Sequence, residues 1–153
     1  DGEIDNILFK NMTKENVGAP CTENTLYSCD PDGHSEYVQS LEKQPVDERT
    51  PEIGRITFRD VRATGCGACA GYFLGLPEKP IRHIELTNVS FTFAAEGKAM
   101  QPVMSDTVAK CVGRGLIVRN AEKLTCRGVR MQGQTGEKLE TENVGESTWE
   151  DCE

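Results

Sequence analysis

The sequence predicts an all-β chain whose short strands stack in parallel as a partial solenoid, and three observations carry that expectation. One nine-residue pattern recurs along the 153 residues. Each copy alternates apolar and polar positions like a strand with one buried face. No long segment keeps the 3.6-residue apolar period of a helix, and Gly and β-branched residues interrupt every helical candidate.

The copies run in order along the chain. Ile4-Asp5-Asn6-Ile7-Leu8-Phe9-Lys10-Asn11-Met12 is echoed by Ile53-Gly54-Arg55-Ile56-Thr57-Phe58-Arg59-Asp60-Val61. It returns as Ile81 to Val89 and, more loosely, as Ala121 to Val129. A last partial copy is read at Leu139, Thr141, Asn143 and Val144. Inside each copy the inward pairs are Ile7/Phe9, Ile56/Phe58, Ile84/Leu86 and Leu124/Cys126. A corner follows at Asn11, Asp60, Asn88 and Gly128, residue types that tolerate left-handed backbone angles. Apolar runs at Thr25 to Cys29, Ala70 to Leu74 and Leu116 to Val118 supply further strands between the copies. Restacking one pattern at matching phase implies parallel pairing, with neighbouring coils covering each inner face. An antiparallel sandwich also has many short strands but leaves the repeated corners unexplained.

Copies start 49, 28 and 40 residues apart, so loops must be inserted between turns. One is expected at about 30–51, where Asp30-Pro31-Asp32-Gly33 signals a turn and Pro45 to Pro51 resists regular structure. Another is expected at about 94–112, around Glu96-Gly97-Lys98. All of 1–153 then forms one domain.

Composition narrows the functional classes. With 17 Lys+Arg against 25 Asp+Glu the net charge is −8, which gives nucleic acid or an anionic membrane little to hold. No run reaches the roughly 18 apolar residues of a membrane-spanning helix. Seven cysteines cannot all pair within one chain, and most read as small buried hydrophobes of a reduced protein. Cys66-Gly-Ala-Cys69 has redox-motif spacing, but the residues after it read as a strand and not as the helix start that stabilises a thiolate. Gly65, Gly67 and Gly71 likewise have no helix behind them to form a dinucleotide loop. No cofactor or metal is called for.

Taken with the repeats, three stretches resemble glycoside hydrolase family 28, the polygalacturonases and their exo-acting bacterial relatives. They are Pro45 to Pro51 (PVDERTP), Ala70 to Val89 (AGYFLGLPEKPIRHIELTNV) and Arg114 to Asn120 (RGLIVRN). The resemblance implies a right-handed single-stranded parallel β-helix, of which this chain supplies the carboxyl-terminal coils. It implies a parent that hydrolyses α-1,4-galacturonosyl bonds of pectin with inversion, using carboxylates as acid and base. The family draws these groups from Asn-Thr-Asp, Asp-Asp and Gly-His-Gly strings, and an Arg-x-Lys grips the substrate carboxylate. None of these strings occurs here, so this chain alone is expected to be inactive and to have no catalytic residue. Its ligand, in the full-length parent, would be a pectic oligo- or polysaccharide. Whether that parent is cytoplasmic or exported depends on sequence ahead of Asp1, since Asp1-Gly2-Glu3 has no features of a secretion signal.

The resemblance implies a substrate contact for Tyr27, which matches a cleft tyrosine of the family. Arg49 is the second candidate, because a guanidinium can hold a galacturonate carboxylate bidentately from an overhanging loop. A salt bridge within its own loop is the competing role. His34 and His83 read as surface histidines, and Asp47 and Glu48, adjacent on extended chain, point apart. Asn11-Met-Thr13 and Asn88-Val-Ser90 fit the glycosylation pattern but coincide with corners. Trp149 in the acidic tail is expected to cover the last coil. At the other end, the strand from Ile4 to Phe9 should present an open edge and bare apolar side chains, a surface for self-association.

Overall fold

A computed structural model describes residues 2–26 and 32–153. The chain is all-β, with 54% strand and 5% helix, and its parallel strands form a curled sheet. The strands are β1 (Glu3–Ile4), β2 (Ile7–Glu15), β3 (Cys21–Asn24), β4 (Glu52–Ile53), β5 (Arg55–Cys66), β6 (Cys69–Leu74), β7 (Ile81–Phe93), β8 (Arg114–Arg127), β9 (Arg130–Gln132) and β10 (Leu139–Glu150). The main sheet runs β2-β5-β7-β8-β6-β3, with β10 added on β8 and β9 on β7. Every one of these strand pairs is parallel. The pairing Ile56↔Ile84 excludes the antiparallel sandwich directly.

Register follows the repeat. Ile7, Ile56, Ile84 and Leu124 are successive partners, as are Phe9, Phe58, Leu86 and Cys126. Side chains two apart share a face, so both columns enter one core. Phe58 is 1% exposed and Ile84, Leu86, Leu124 and Cys126 are fully buried there. Phe9 stacks on Phe58 at a centroid distance of 4.8 Å, and Phe73 meets Phe58 edge-on at 5.9 Å.

The corners make the sheet curl. Asn11, Asp60, Asn88 and Gly128 all have φ between 53° and 63°. Asn88 Nδ2 donates to Asp60 Oδ1 at 2.7 Å, so one corner braces the next. A second column bends at Asn120 and Asn143, where Asn120 donates to the Gly75 carbonyl and Asn143 Nδ2 to Asn120 Oδ1. That bend lets β8 serve two walls, its first half paired with β6 and its second with β7. Gly71 is needed for closeness: a Cβ there would lie 2.8 Å from both the Cys21 carbonyl and Leu116 Cδ2.

Among the described residues the strand before the first long loop is Cys21–Asn24, and Leu26 joins a second apolar cluster. The expected run at Thr25 to Cys29 lies outside the described residues from Tyr27 onward. The last copy begins at Val144 and not at Leu139. Leu139 pairs with Leu116 and Asn143 follows Arg119's partner Glu142, so Leu139 to Asn143 continues the other wall. The true fifth copy is Val144-Gly-Glu-Ser147-Thr-Trp149-Glu-Asp151-Cys152, with Ser147 on Leu124, Trp149 on Cys126 and Asp151 at a corner of φ 52°. Trp149 packs half-buried against the core, as a cover for that end.

Residues 94–113 contain only an isolated bridge between Met100 and Cys111, and lie over the outer face of β6 and β8. Residues 32–51 hold a short helix α1 (Glu36–Gln39), whose N-cap Ser35 accepts from the Val38 amide. Buried Gln39 staples the two segments. Its amide donates to the carbonyls of Leu26 and Gly33, and its Oε1 accepts from Ser105 Oγ and the Asp106 amide, each at 2.7 to 2.9 Å.

The packing predicts a steep gradient of mutational cost between the centre and the open end. Leu86→Ala should destabilise by about 2–5 kcal/mol, whereas Leu8→Ala, at an outward position 51% exposed, should stay within about 0.5 kcal/mol. Urea unfolding of both variants checks this, and equal costs would contradict the core assignment.

Candidate functional site

Alternation on β6, β8 and β10 decides what faces outward. Phe73, Leu116 and Val118 turn into the main core, so Tyr72, Ile117 and Arg119 face the other way. On β10 the register adds Glu140 beside Ile117 and Glu142 beside Arg119. With Arg114 and the rim residues Thr107, Val108 and Ala109, these side chains line a groove of about 360 Å³. The Gln39 staple fixes the rim two residues away, at Ser105 and Asp106.

Two guanidiniums dominate the groove. Arg114 forks onto Glu140, with Nη2 2.6 Å from Oε1 and Nε 3.0 Å from Oε2. That hydrogen bond holds the Arg114 guanidinium above its ordinary pKa. Arg119 donates from Nε to Glu142 at 2.9 Å and from Nη1 to the Tyr72 hydroxyl at 3.4 Å. Glu142 is 67% exposed, and Arg114 and Glu140 about 40%. Ion pairs so wet are worth at most about 1 kcal/mol, so an incoming carboxylate can compete for either guanidinium. The groove thus sets two arginines, each paired with a glutamate, over the buried Tyr72 and Ile117.

Of the two sequence candidates, only Arg49 lies among the described residues, and Tyr27 falls outside them. Arg49 bonds Asp47 at 2.7 Å and lies 5.3 Å over the Tyr37 ring, so it makes the salt bridge within its loop; it does not line the groove. The Asp47 carboxyl is held low, first by that side-chain bond. His34 Nδ1 lies 2.7 Å from Asp106 Oδ2, a carboxylate partner that sequence reasoning did not foresee; both are about half exposed. His83 Nε2 sits 3.0 Å from Thr125 Oγ1, and burial lowers its pKa.

The described thiols differ: burial raises most of them, whereas the hydrogen bond from Cys69 pulls the Cys111 thiol down to about 7. Cys21, Cys66, Cys69, Cys111 and Cys126 are buried and unbridged. Burial pushes Cys66 up to about 11, the reverse of a reactive motif cysteine. Cys69 is raised too, first because its thiol hydrogen-bonds Cys111 and then by burial. Among the described residues no group of three or more His, Cys, Asp or Glu could hold a metal.

Glu23 is the largest surprise. It stands in register with Phe73 and Val118, on the inner face of the wall. Its Oε2 is sealed from solvent with no hydrogen-bond partner among the described residues, and burial pushes its pKa up to about 8. No motif marks it, because a lone carboxylate at an inward position runs against the apolar pattern. No family model, curated protein or solved structure matches this chain.

Glu23 should make stability depend on pH. An unfolded glutamate releases its proton from about 4.5 upward while the folded one retains it until about 8. Stability is therefore full below pH 4.5, falls as pH rises to 8, and is level above, a loss on the order of 2–4 kcal/mol. Glu23→Gln should flatten that fall. Denaturant midpoints from pH 4 to 9 test it, and parallel curves for the two proteins would contradict it.

Proposed function

We propose that this chain forms carboxyl-terminal coils of a right-handed parallel β-helix and supplies an acidic-sugar-binding wall of a pectin-acting glycoside hydrolase. The observation that carries the reading is the outward groove where Arg114, Arg119 and Tyr72 meet. A galacturonate carboxylate would displace Glu142 or Glu140 and take a forked pair of N–H donors, with the buried Tyr72 and Ile117 forming the floor beneath the arginines. The family resemblance of Pro45–Pro51, Ala70–Val89 and Arg114–Asn120 supports the same substrate class, and two of those three stretches supply groove residues. The parallel ladder and its stacked corners are what such a β-helix requires.

The chain's part in the reaction is binding and not bond cleavage. The family's catalytic strings are absent from the sequence. Glu140 and Glu142 are each held by an arginine, an arrangement suited to orienting charge and not to donating a proton.

Titration calorimetry with oligogalacturonate tests the reading. Arg119→Ala should weaken binding by about tenfold or more, the loss of a charged hydrogen bond of about 1.5–3 kcal/mol. Glu142→Gln should tighten it by removing the internal competitor, and the fully methyl-esterified oligomer should bind least. A reducing-end assay should show no turnover of polygalacturonate. Equal affinity for acid and ester, or indifference to both substitutions, would overturn the proposal.

A further inference from the structure

Cys69 and Cys111 are far apart in sequence, yet the fold sets their thiols against each other. Cys69 opens β6, and Cys111 forms the isolated bridge with Met100. Backbone bonds hold the two stretches side by side. The Gly113 amide donates to the Gly67 carbonyl at 2.8 Å, and the Arg114 amide to the Ala68 carbonyl at 3.0 Å. Both cysteines belong to the apolar cluster over the outer face of β6 and β8. There the Cys69 thiol hydrogen-bonds the Cys111 sulfur, while the Cys111 thiol donates to the Ala68 carbonyl at 3.4 Å. Cys69 has no exposed surface and Cys111 is 9% exposed, so only Cys111 can meet a molecule arriving from solvent.

We infer that Cys69 and Cys111 form a peroxide-sensitive dithiol site, at which Cys111 is oxidised first and Cys69 then closes a disulfide onto it. Hydrogen peroxide is the oxidant. The Cys111 thiolate attacks one peroxide oxygen, the O–O bond breaks, and the departing hydroxide takes up a proton to become water. Cys111 is left as a sulfenic acid. The Cys69 thiol then releases its proton, its sulfur attacks the Cys111 sulfur, and the S–O bond breaks as a second water leaves. The two thiols together lose two electrons, and one peroxide becomes two waters.

The surroundings suit this order of events. Thiolate is the attacking form. The hydrogen bond from Cys69, helped by the Arg114 guanidinium, holds the Cys111 thiol down at about 7 against burial and the Glu140 carboxylate. That same bond, with burial, holds Cys69 up, so it stays a thiol until a sulfenic acid forms beside it. The sulfurs are already within hydrogen-bond reach, and a disulfide needs them at about 2 Å. Residues 94–113 hold no helix or strand beyond the Met100–Cys111 bridge to resist that approach. A second near pair lacks the arrangement. Cys152 Sγ turns to the carbonyls of Cys126 and Glu150, and burial pushes the Cys126 thiol up to about 12. Closing the bridge would tie the 94–113 segment covalently to β6, just beyond the rim at Thr107 to Ala109. The inference stands apart from the sugar-binding reading, because no sugar enters the chemistry.

Peptide mapping of the whole chain tests it, with free thiols blocked by N-ethylmaleimide before digestion. In the reduced protein at pH 7, iodoacetamide should alkylate Cys111 about tenfold or more faster than Cys66, following the thiolate fraction. Brief treatment with hydrogen peroxide should yield a Cys69–Cys111 linked peptide, and dithiothreitol should release it. Cys69→Ala removes both the hydrogen bond and the second sulfur, so Cys111 alkylation should slow and peroxide should leave a sulfenic acid that dimedone labels. Cys111→Ala should abolish the link while Cys69 remains a thiol. Circular dichroism should show both variants folded, and the mapping of the unsubstituted chain decides the matter if either is not. A first link made through Cys29, Cys66 or Cys126, Cys111 oxidised to sulfinic acid with Cys69 still free, or Cys111 alkylated no faster than Cys66 would overturn the inference.

Discussion

The in-register parallel ladder is the constraint on which the rest of this molecule depends. Because side chains alternate across each strand, one register decides which residues enter the core and which face out. Sliding β7 by a single residue against β5 would turn Ile84 and Leu86 outward and bring His83 and Glu85 inside. The apolar columns thus hold the register, and the register in turn holds Tyr72, Ile117 and Arg119 on the groove face. The corners do the complementary work. Asn, Asp and Gly at φ near 55° bend each strand without interrupting its pairing, so one long strand such as β8 belongs to two walls.

Much of this was legible in the residues. Ile56, Phe58, Ile84 and Leu86 recur at fixed phase before Asp60 and Asn88, and the structure places them in shared columns with the corners stacked. The phase was lost where chemistry departs from the pattern. Ser147 and Trp149 occupy the columns of Leu124 and Cys126, and a serine at an inward position hides the repeat. Leu139 looked like its start because it is apolar and followed by Asn143, yet those residues continue the Leu116 wall. Cys21–Asn24 was hidden in the same way, because Glu23 sits where the pattern wants a hydrophobe.

The site was less legible than the fold. Arg114 and Glu140 are 26 residues apart, and Arg119 and Glu142 are 23, so only the ladder reveals them as partners. For Arg49 the residues allowed a substrate contact or a salt bridge within its own loop, and Asp47 two residues away makes the salt bridge. The Gln39 staple is a further long-range feature, joining two inserted loops through its hydrogen bonds with Ser105 and Asp106 and so setting the height of the groove rim. Function in this architecture comes from outward residues and loops, while the repeat that announces the architecture encodes mostly its interior.

Methyl-resolved nuclear Overhauser spectroscopy tests the ladder most directly. With isoleucine and leucine methyl groups and phenylalanine rings labelled, the account predicts contacts joining Ile7 to Ile56, Ile56 to Ile84 and Ile84 to Leu124, one unbroken column. It predicts no contact between Ile56 and Phe91, which lies at the far end of the partner strand. An Ile56–Phe91 contact without the Ile56–Ile84 contact would mean antiparallel pairing and would contradict the account.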